Sequence, residues 1–356
     1  MYHQGATLKS MMEDPIITGD ADEAIWTFDQ LLQARAIEPV QAPLLAYPRS
    51  RTSATDYETI DGKQLSRLIE GACATLESQG LKSLFALSTG SQEDASASQP
   101  PATAVIGVLG KSDLEYIIAV FALGRLGYTP FLISPRLAPN AIDALLERTK
   151  AVGLLYQREQ KIPQILQKHE KQIPIPARHE YMEPTGKVGR YVGATFEHQS
   201  RPYIILHSSG STGIPKPIDY TNRRFLSACL VARDAVCFQT VPISHAHGLV
   251  TVVHAIYMRK TIFLMNAHIP QTCDTITAAI VAAKPEVVYT VPYVLKLLAE
   301  KPAGIAALKA ATLVSASGSR TPDELGDLLT AEGVHFGTVF GSYGCPLPRP
   351  GSPYLL

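Results

Sequence analysis

The chain has 356 residues, 46% of them apolar and 18% charged, with 32 basic and 32 acidic side chains and a formal net charge of zero. That length allows one large domain or two to three small ones. The apolar share excludes a disordered chain, and the balanced charge excludes a nucleic-acid coat, which needs surplus positive charge. No apolar run reaches the ~20 residues that a membrane-spanning helix needs. The start, MYHQGATLKSMMEDP, has no apolar stretch behind a basic segment, so no secretory signal is expected. The five cysteines (Cys73, Cys229, Cys237, Cys273, Cys345) are odd in number and none are paired as C-x-x-C. This predicts reduced thiols in a cytoplasmic protein rather than a disulfide framework or a zinc site.

Residues 1–50 show no sustained period and read as a surface leader with one helix near Ala21–Ala34. Leu65, Leu68, Ile69, Ala72 and Leu76 recur at spacings of three and four, which predicts a helix over Asp61–Gln79. Residues 88–104 are small, polar and proline-bearing, as in a solvated loop. Strand and helix then alternate. Ala104–Leu109 is a buried strand by its apolar run, and Ser112 with Glu115 is spaced as a capping box for a helix ending at Leu126 before Gly127. A strand over Thr129–Ile133, a helix over Asn140–Lys150 and a strand over Val152–Tyr156 follow. Residues 157–200 are polar and weakly periodic. In the second half, strands are predicted at Tyr203–Leu206, Val236–Val241, Thr261–Met265, Glu286–Thr290, Ala311–Ser315 and Gly337–Phe340. Helices are predicted at Asn222–Ala235, Gly248–Met258, Thr275–Ala283, Tyr293–Glu300 and Asp323–Ala331. The whole is an α/β chain with mainly parallel sheets covered by helices.

The most informative segment is Leu206-His207-Ser208-Ser209-Gly210-Ser211-Thr212-Gly213-Ile214-Pro215-Lys216-Pro217. Glycines let backbone approach an anion, hydroxyls add donors and a lysine adds a point charge. Together they suit a polyphosphate. The string is not a Walker A loop, because Lys216 precedes Pro217 rather than Ser or Thr. Pro215 and Pro217 predict an extended exit, with the next helix starting near Thr221-Asn222.

This segment resembles the phosphate-binding loop of the adenylate-forming superfamily, which includes acyl-CoA synthetases, luciferases and adenylation domains of nonribosomal peptide synthetases. HSSGSTGIPKPIDYTNRRF is similar to fungal synthetase-like and aminoadipate-reductase-like adenylation domains. Further stretches carry the likeness: GRLGYTPFLISPR (124–136), Pro242-Ile243-Ser244-His245-Ala246-His247-Gly248-Leu249, Ser315-Ala316-Ser317-Gly318-Ser319 and Phe340-Gly341-Ser342. Order and spacing agree from about Tyr57 to Ser342.

The resemblance implies the large N-terminal domain of the adenylate-forming fold, with two helix-covered, mainly parallel β-sheets in sub-lobes of about 51–200 and 201–342. It implies ATP-dependent activation of a small carboxylic acid to an acyl-adenylate. Ser208, Ser209, Gly210, Ser211, Thr212, Gly213 and Lys216 would then hold the β- and γ-phosphates. Ser317, Gly318, Ser319 and Phe340 would flank the adenine. His245 and His247 would sit at the acid pocket. His245-x-His247, with His254 beyond, also has the look of a metal site, but two imidazoles at short range rarely hold zinc. Arg125 and Arg136 read as structural. A phosphopantetheine carrier domain is the implied partner in a longer parent.

The pattern then changes. Where the family continues with Thr-Glu, this chain has Tyr343 and Gly344, and the family's glutamate is its Mg²⁺ ligand. The ribose-binding aspartate, the hinge and the C-terminal domain's lysine have no counterpart, and 343–356 is Pro/Gly-rich without periodicity. These departures predict an incomplete large domain, shortened and catalytically impaired. The alternative expectation is a non-catalytic protein that binds ATP or a carboxylate and regulates a full-length relative.

Overall fold

Short apolar runs bounded by turn residues become strands, and the amphipathic stretches between them become helices. The computed structural model describes residues 16–17, 24–84, 104–159, 162–169, 171–182, 199–208 and 215–339. In chain order the strands are β1 (Ile16–Ile17), β2 (Ala24–Ile25), β3 (Pro43–Pro48), β4 (Tyr57–Asp61), β5 (Val105–Leu109), β6 (Thr129–Ile133), β7 (Gly153–Tyr156), β8 (Gln172–Pro174), β9 (Pro202–His207), β10 (Pro217–Thr221), β11 (Cys237–Gln239), β12 (Ile262–Leu264), β13 (Val287–Thr290), β14 (Leu313–Ala316) and β15 (Phe336–Thr338). The helices are α1 (Phe28–Ile37), α2 (Gly62–Ser78), α3 (Leu114–Arg125), α4 (Pro139–Arg148), α5 (Arg178–Met182), α6 (Asn222–Ser227), α7 (Ala246–Met258), α8 (Cys273–Ala283), α9 (Pro292–Ala299), α10 (Pro302–Lys309) and α11 (Asp323–Ala331). Among the described residues no helix is long and apolar enough to cross a membrane.

The chain divides into two units. One lies within Pro15–Ile37 and Lys63–Leu226, the other within Glu38–Gly62 and from Ser227 onward. The first holds a six-stranded sheet in the order β10-β9-β6-β5-β7-β8, parallel except for the β9–β10 pair. Every residue of β5 and β6 is buried, as expected of parallel strands covered on both faces. Phe131, Ile133, Leu145, Leu154 and Leu166 form its core. Pro130 stands inside β6 and has no N–H to donate. The β6–β9 pairing is correspondingly reduced to Phe131↔Ile205, and the Thr129 hydroxyl reaches the Pro202 carbonyl instead at 2.9 Å.

The second unit holds a seven-stranded sheet in the order β15-β14-β13-β11-β12-β3-β4, parallel except for the β3–β4 pair. Phe238, Ile276, Val288, Leu295, Leu308 and Val314 are at the centre of its core. The two mainly parallel sheets are those expected of an α/β chain.

Several local expectations change. Residues 43–48, read as part of a leader, are strand β3. The first helix starts at Phe28 because Thr27 and Gln30 form a reciprocal cap: the Gln30 amide donates to the Thr27 hydroxyl at 3.2 Å, and the Thr27 amide donates to Gln30 Oε1 at 3.0 Å. At α3 the cap is Asp113, not Ser112, with Asp113 Oδ1 accepting from the Tyr116 amide at 2.9 Å. A carboxylate at a helix N-terminus also opposes the positive dipole end. The helix predicted for Asn222–Ala235 is shorter. It ends at Ser227, continues as a 3₁₀ turn over Ala228–Val231, and Ala232 turns extended to lead into β11. Helix α10 has no counterpart among the predicted elements. Cys73, Cys229, Cys237 and Cys273 are buried and form no disulfide; Cys345 lies outside the described residues.

Candidate functional site

In open α/β sheets, ligands bind beyond the carboxyl ends of the parallel strands. Each unit places part of the predicted site there. In the first unit β9 ends at His207 and passes directly into Ser208. The Ser208 amide donates to the Lys216 carbonyl at 2.9 Å, and the Lys216 amide donates to Ser208 Oγ at 2.9 Å. These two bonds close the neck of the Ser208–Lys216 segment. The Lys216 side chain is exposed. Ser209, Gly210, Ser211, Thr212 and Gly213 lie outside the described residues. Arg125 takes the structural place expected of it: it is 2% exposed and its Nε lies 2.8 Å from Asp29 Oδ1.

In the second unit β11, β13 and β14 run parallel, so their carboxyl ends fall side by side. The segment after β14 carries Ser317, Gly318 and Ser319. Ser317 is buried and its amide donates to the Thr290 carbonyl at the end of β13 at 3.2 Å. Gly318 has φ +92°, a conformation that only glycine adopts without strain. Ser319 is exposed, and Phe340 lies outside the described residues. The segment after β11 leads to His245, which occupies the N-cap position of α7 in extended conformation.

His247, on the first turn of α7, lies with Nδ1 2.7 Å from Ser317 Oγ. Its ring meets Tyr289 edge-on, with centroids 5.8 Å apart. The predicted acid-pocket and adenine segments thus meet through one hydrogen bond. Behind them Thr240 and Thr290 share a hydroxyl–hydroxyl bond of 2.9 Å, and Thr251 bonds Gln239. Tyr289, Thr240 and Thr290 were not among the sequence candidates. Their one sequence signal is position: each stands within one residue of the end of a predicted apolar strand.

Burial lowers the pKa of His247 to about 4. His254, two turns further along α7, is also pushed to about 4. Burial is the main cause there too, the Ala228 carbonyl opposes it, and the charge of His247 adds to it. His254 Nε2 is buried without a hydrogen-bond partner among the described residues. No group of three His, Cys, Asp or Glu among those residues stands where it could hold a metal ion. The strand ends therefore offer neutral hydrogen-bonding groups.

Both histidines return to the ordinary value of 6.5 in the unfolded chain, which then binds more protons than the folded one between about pH 6.5 and 4. Stability is expected to fall as pH drops through that window. The ceiling is ~1.4 kcal/mol per pH unit for each ring. Thermal unfolding from pH 7 to 4.5 checks it. His254→Phe should flatten the slope, and an unchanged slope would contradict the assignment.

Comparison with protein-family models matches residues 102–345 to the AMP-binding enzyme family. This chain therefore belongs to that family, the adenylate-forming class. Among curated proteins it is 29% identical over 258 residues to the non-canonical non-ribosomal peptide synthetase ascB of Acremonium egyptiacum, covering 67% of this chain and 23% of that protein. It is 28% identical over 267 residues to the adenylate-forming reductase stbB of Stachybotrys bisbyi, covering 69% of this chain and 25% of that one. The chain thus spans about a quarter of the length of these curated relatives. Among solved structures it is similar to the anthranilate CoA ligase AuaEII in complex with anthranoyl-AMP, with TM-score 0.69, 16% identity and coverage of 89% of this chain and 59% of that one. The N-terminal domain of FACL13 from Mycobacterium tuberculosis gives TM-score 0.68 at 18% identity, covering 89% of this chain and 76% of that one. At such identity the structural likeness establishes the fold.

Proposed function

We propose that the protein binds ATP and a small carboxylic acid and carries the recognition part of a carboxylate-activating domain. The observation that carries this reading is that the family match spans the Ser208–Lys216 segment and both strand-end segments that meet through His247 and Ser317. In the reaction a carboxylate oxygen attacks the α-phosphorus of ATP. The bond to pyrophosphate breaks, leaving an acyl-adenylate. Catalysis of this kind is mostly positioning and charge neutralisation. Ser208, the glycines and hydroxyls after it, and Lys216 would neutralise and orient the β- and γ-phosphates. Ser317, Gly318, Ser319 and Phe340 would take the adenine. His245 and the neutral His247 would border the acid without adding a second charge.

At the positions where the family resemblance places the Mg²⁺ ligand, the sequence does not fit the ion. Tyr343 and Gly344 stand where a threonine and a carboxylate would be needed, and a phenol with a glycine offers no hard anionic oxygen at neutral pH. No step is routed through the ion. We expect adenylation to be slow for that reason. A second reading, binding without turnover, rests on the same two residues.

Two measurements test this. Lys216→Ala is expected to weaken ATP binding by ~10-fold, about the worth of one charge-assisted contact. Unchanged affinity would remove Lys216 from the phosphate site. Pyrophosphate exchange, with anthranilate and hydroxybenzoates first in the acid panel, should rise ~100-fold in Tyr343→Thr/Gly344→Glu. ATP binding with exchange at background in both proteins would select the second reading.

A further inference from the structure

His207 closes β9 and is 2% exposed, yet both of its ring nitrogens are engaged. Nε2 lies 3.1 Å from the Ser134 amide, which has only a proton to offer, so Nε2 must accept. The ring's own proton is therefore on Nδ1, which donates to the Ser208 carbonyl at 2.9 Å. The two partners select one neutral tautomer between them. Burial supports it by holding the ring's pKa below the ordinary histidine value. Phe131 of β6 packs edge-on against the ring, with centroids 6.4 Å apart.

These contacts join two places that the sequence keeps 73 residues apart. Ser134 is the first residue after β6, and Ser208 is the first residue of the predicted phosphate segment. Ser208 then holds Lys216 through the two neck bonds. One imidazole thus connects the end of the central strand to the base of that segment.

We propose that His207 is a positioning residue: a neutral imidazole that pins the Ser208 carbonyl to the end of β6 and so fixes Ser208 and Lys216, the two ends of the predicted phosphate segment, for the phosphates of a nucleotide. The clause about phosphates rests on the proposed function; the clamp does not. Few other side chains could take this place. Leucine fills the volume but leaves the Ser134 amide without its acceptor, and Ser134 is buried. Asparagine reaches the position of Nδ1 alone, and glutamine that of Nε2 alone, so each keeps one arm.

The experiment uses the full chain in four forms: wild type, His207→Leu, His207→Asn and His207→Gln. Hydrogen exchange is read at the Ser208 and Lys216 amides, with the β5 amides as internal reference. ATP and AMP binding are measured by calorimetry. In His207→Leu, exchange at the neck is expected to rise ~10-fold or more while β5 changes little. ATP affinity should fall ~10-fold and AMP affinity less than ~2-fold, because AMP has no β- or γ-phosphate for the segment to hold. His207→Asn and His207→Gln should each recover part of both effects. If His207→Leu does not fold, those two variants carry the same comparison. Neck exchange indifferent to all three substitutions would overturn the clamp, as would nitrogen NMR showing the proton of His207 on Nε2. Equal loss of ATP and AMP affinity would overturn the positioning role. If the wild type binds neither nucleotide, the proposed function fails, and the exchange data still decide the clamp.

Discussion

Replacing Asp29 with alanine is expected to destabilise the protein by ~3–5 kcal/mol, the range for breaking one partner out of a buried ion pair. The Arg125 guanidinium is 2% exposed and its Nε lies 2.8 Å from Asp29 Oδ1. Its Nη1 donates to the Ser66 hydroxyl at 3.1 Å, with Glu70 at 3.7 Å and 42% exposed. Burial disfavours the charge on Arg125, and Asp29 is the main group that restores it. Without Asp29 the arginine stays charged and buried, with one half-exposed carboxylate in reach. Denaturant unfolding of Asp29→Ala measures the loss. Replacing both residues, as Asp29→Leu/Arg125→Met, should recover much of it, because a well-packed apolar pair carries no desolvation penalty. A loss below ~1 kcal/mol in the single variant would show that the pair contributes no more than a surface bridge does.

Gly248→Ala is the second large effect. Gly248 stands in the first turn of α7, and a Cβ there would overlap the Pro242 carbonyl oxygen and stand 2.7 Å from that of Val241. Both obstacles are backbone, so relief requires moving α7 itself. Overpacking of this kind destabilises by ~1–3 kcal/mol, sometimes more, and a fall of ~5–10 °C in midpoint is expected. Because His247 precedes Gly248, its 2.7 Å contact with Ser317 should lengthen, and ligand affinity should fall along with stability. Gly326→Ala is the control. A Cβ at Gly326 meets only Phe336 at 3.8 Å, an ordinary contact, and its place inside α11 makes alanine favourable by up to ~1 kcal/mol. The same chemical change should thus give opposite signs at two positions of one unit. A neutral Gly248→Ala would mean that α7 approaches the Val241-Pro242 backbone less closely.

How much of this could be read beforehand depended on how local the cause was. Strands β5 and β6 were legible because parallel strands buried on both faces are continuous apolar runs. The extended exit into β10 was legible because Pro215 and Pro217 disfavour a helix there. Strand β3 was not, since PLLAYP begins and ends in proline and finds its partners in distant chain. The Thr27-Gln30 pattern is masked by the missing apolar period of residues 1–50, while Ser112-Glu115 has the same spacing one residue out of place. Helix α10 was hidden by Pro302 and Gly304, which read as breakers although proline suits a first helical turn. Gly304 is required there, because a side chain would run into the Leu298 carbonyl. Neither the His247–Ser317 bond nor the His207 clamp was legible, for each follows from strand register across about 70 residues.

The place of β3 has a consequence for synthesis. Strand β3 pairs with β12, and the Thr261 hydroxyl holds the Pro43 carbonyl across 218 residues of chain. A ribosome working from the N-terminus makes β3 and β4 early and β12 late. All six strands of the first unit's main sheet emerge in between. The early hairpin must therefore wait with one edge open while the other sheet assembles, and open edges invite wrong partners. The interval is set by translation speed, ~5–20 residues per second, which makes it some ten seconds or more. Pro43 and Pro48, which obscured the strand in the sequence, also blunt that waiting edge.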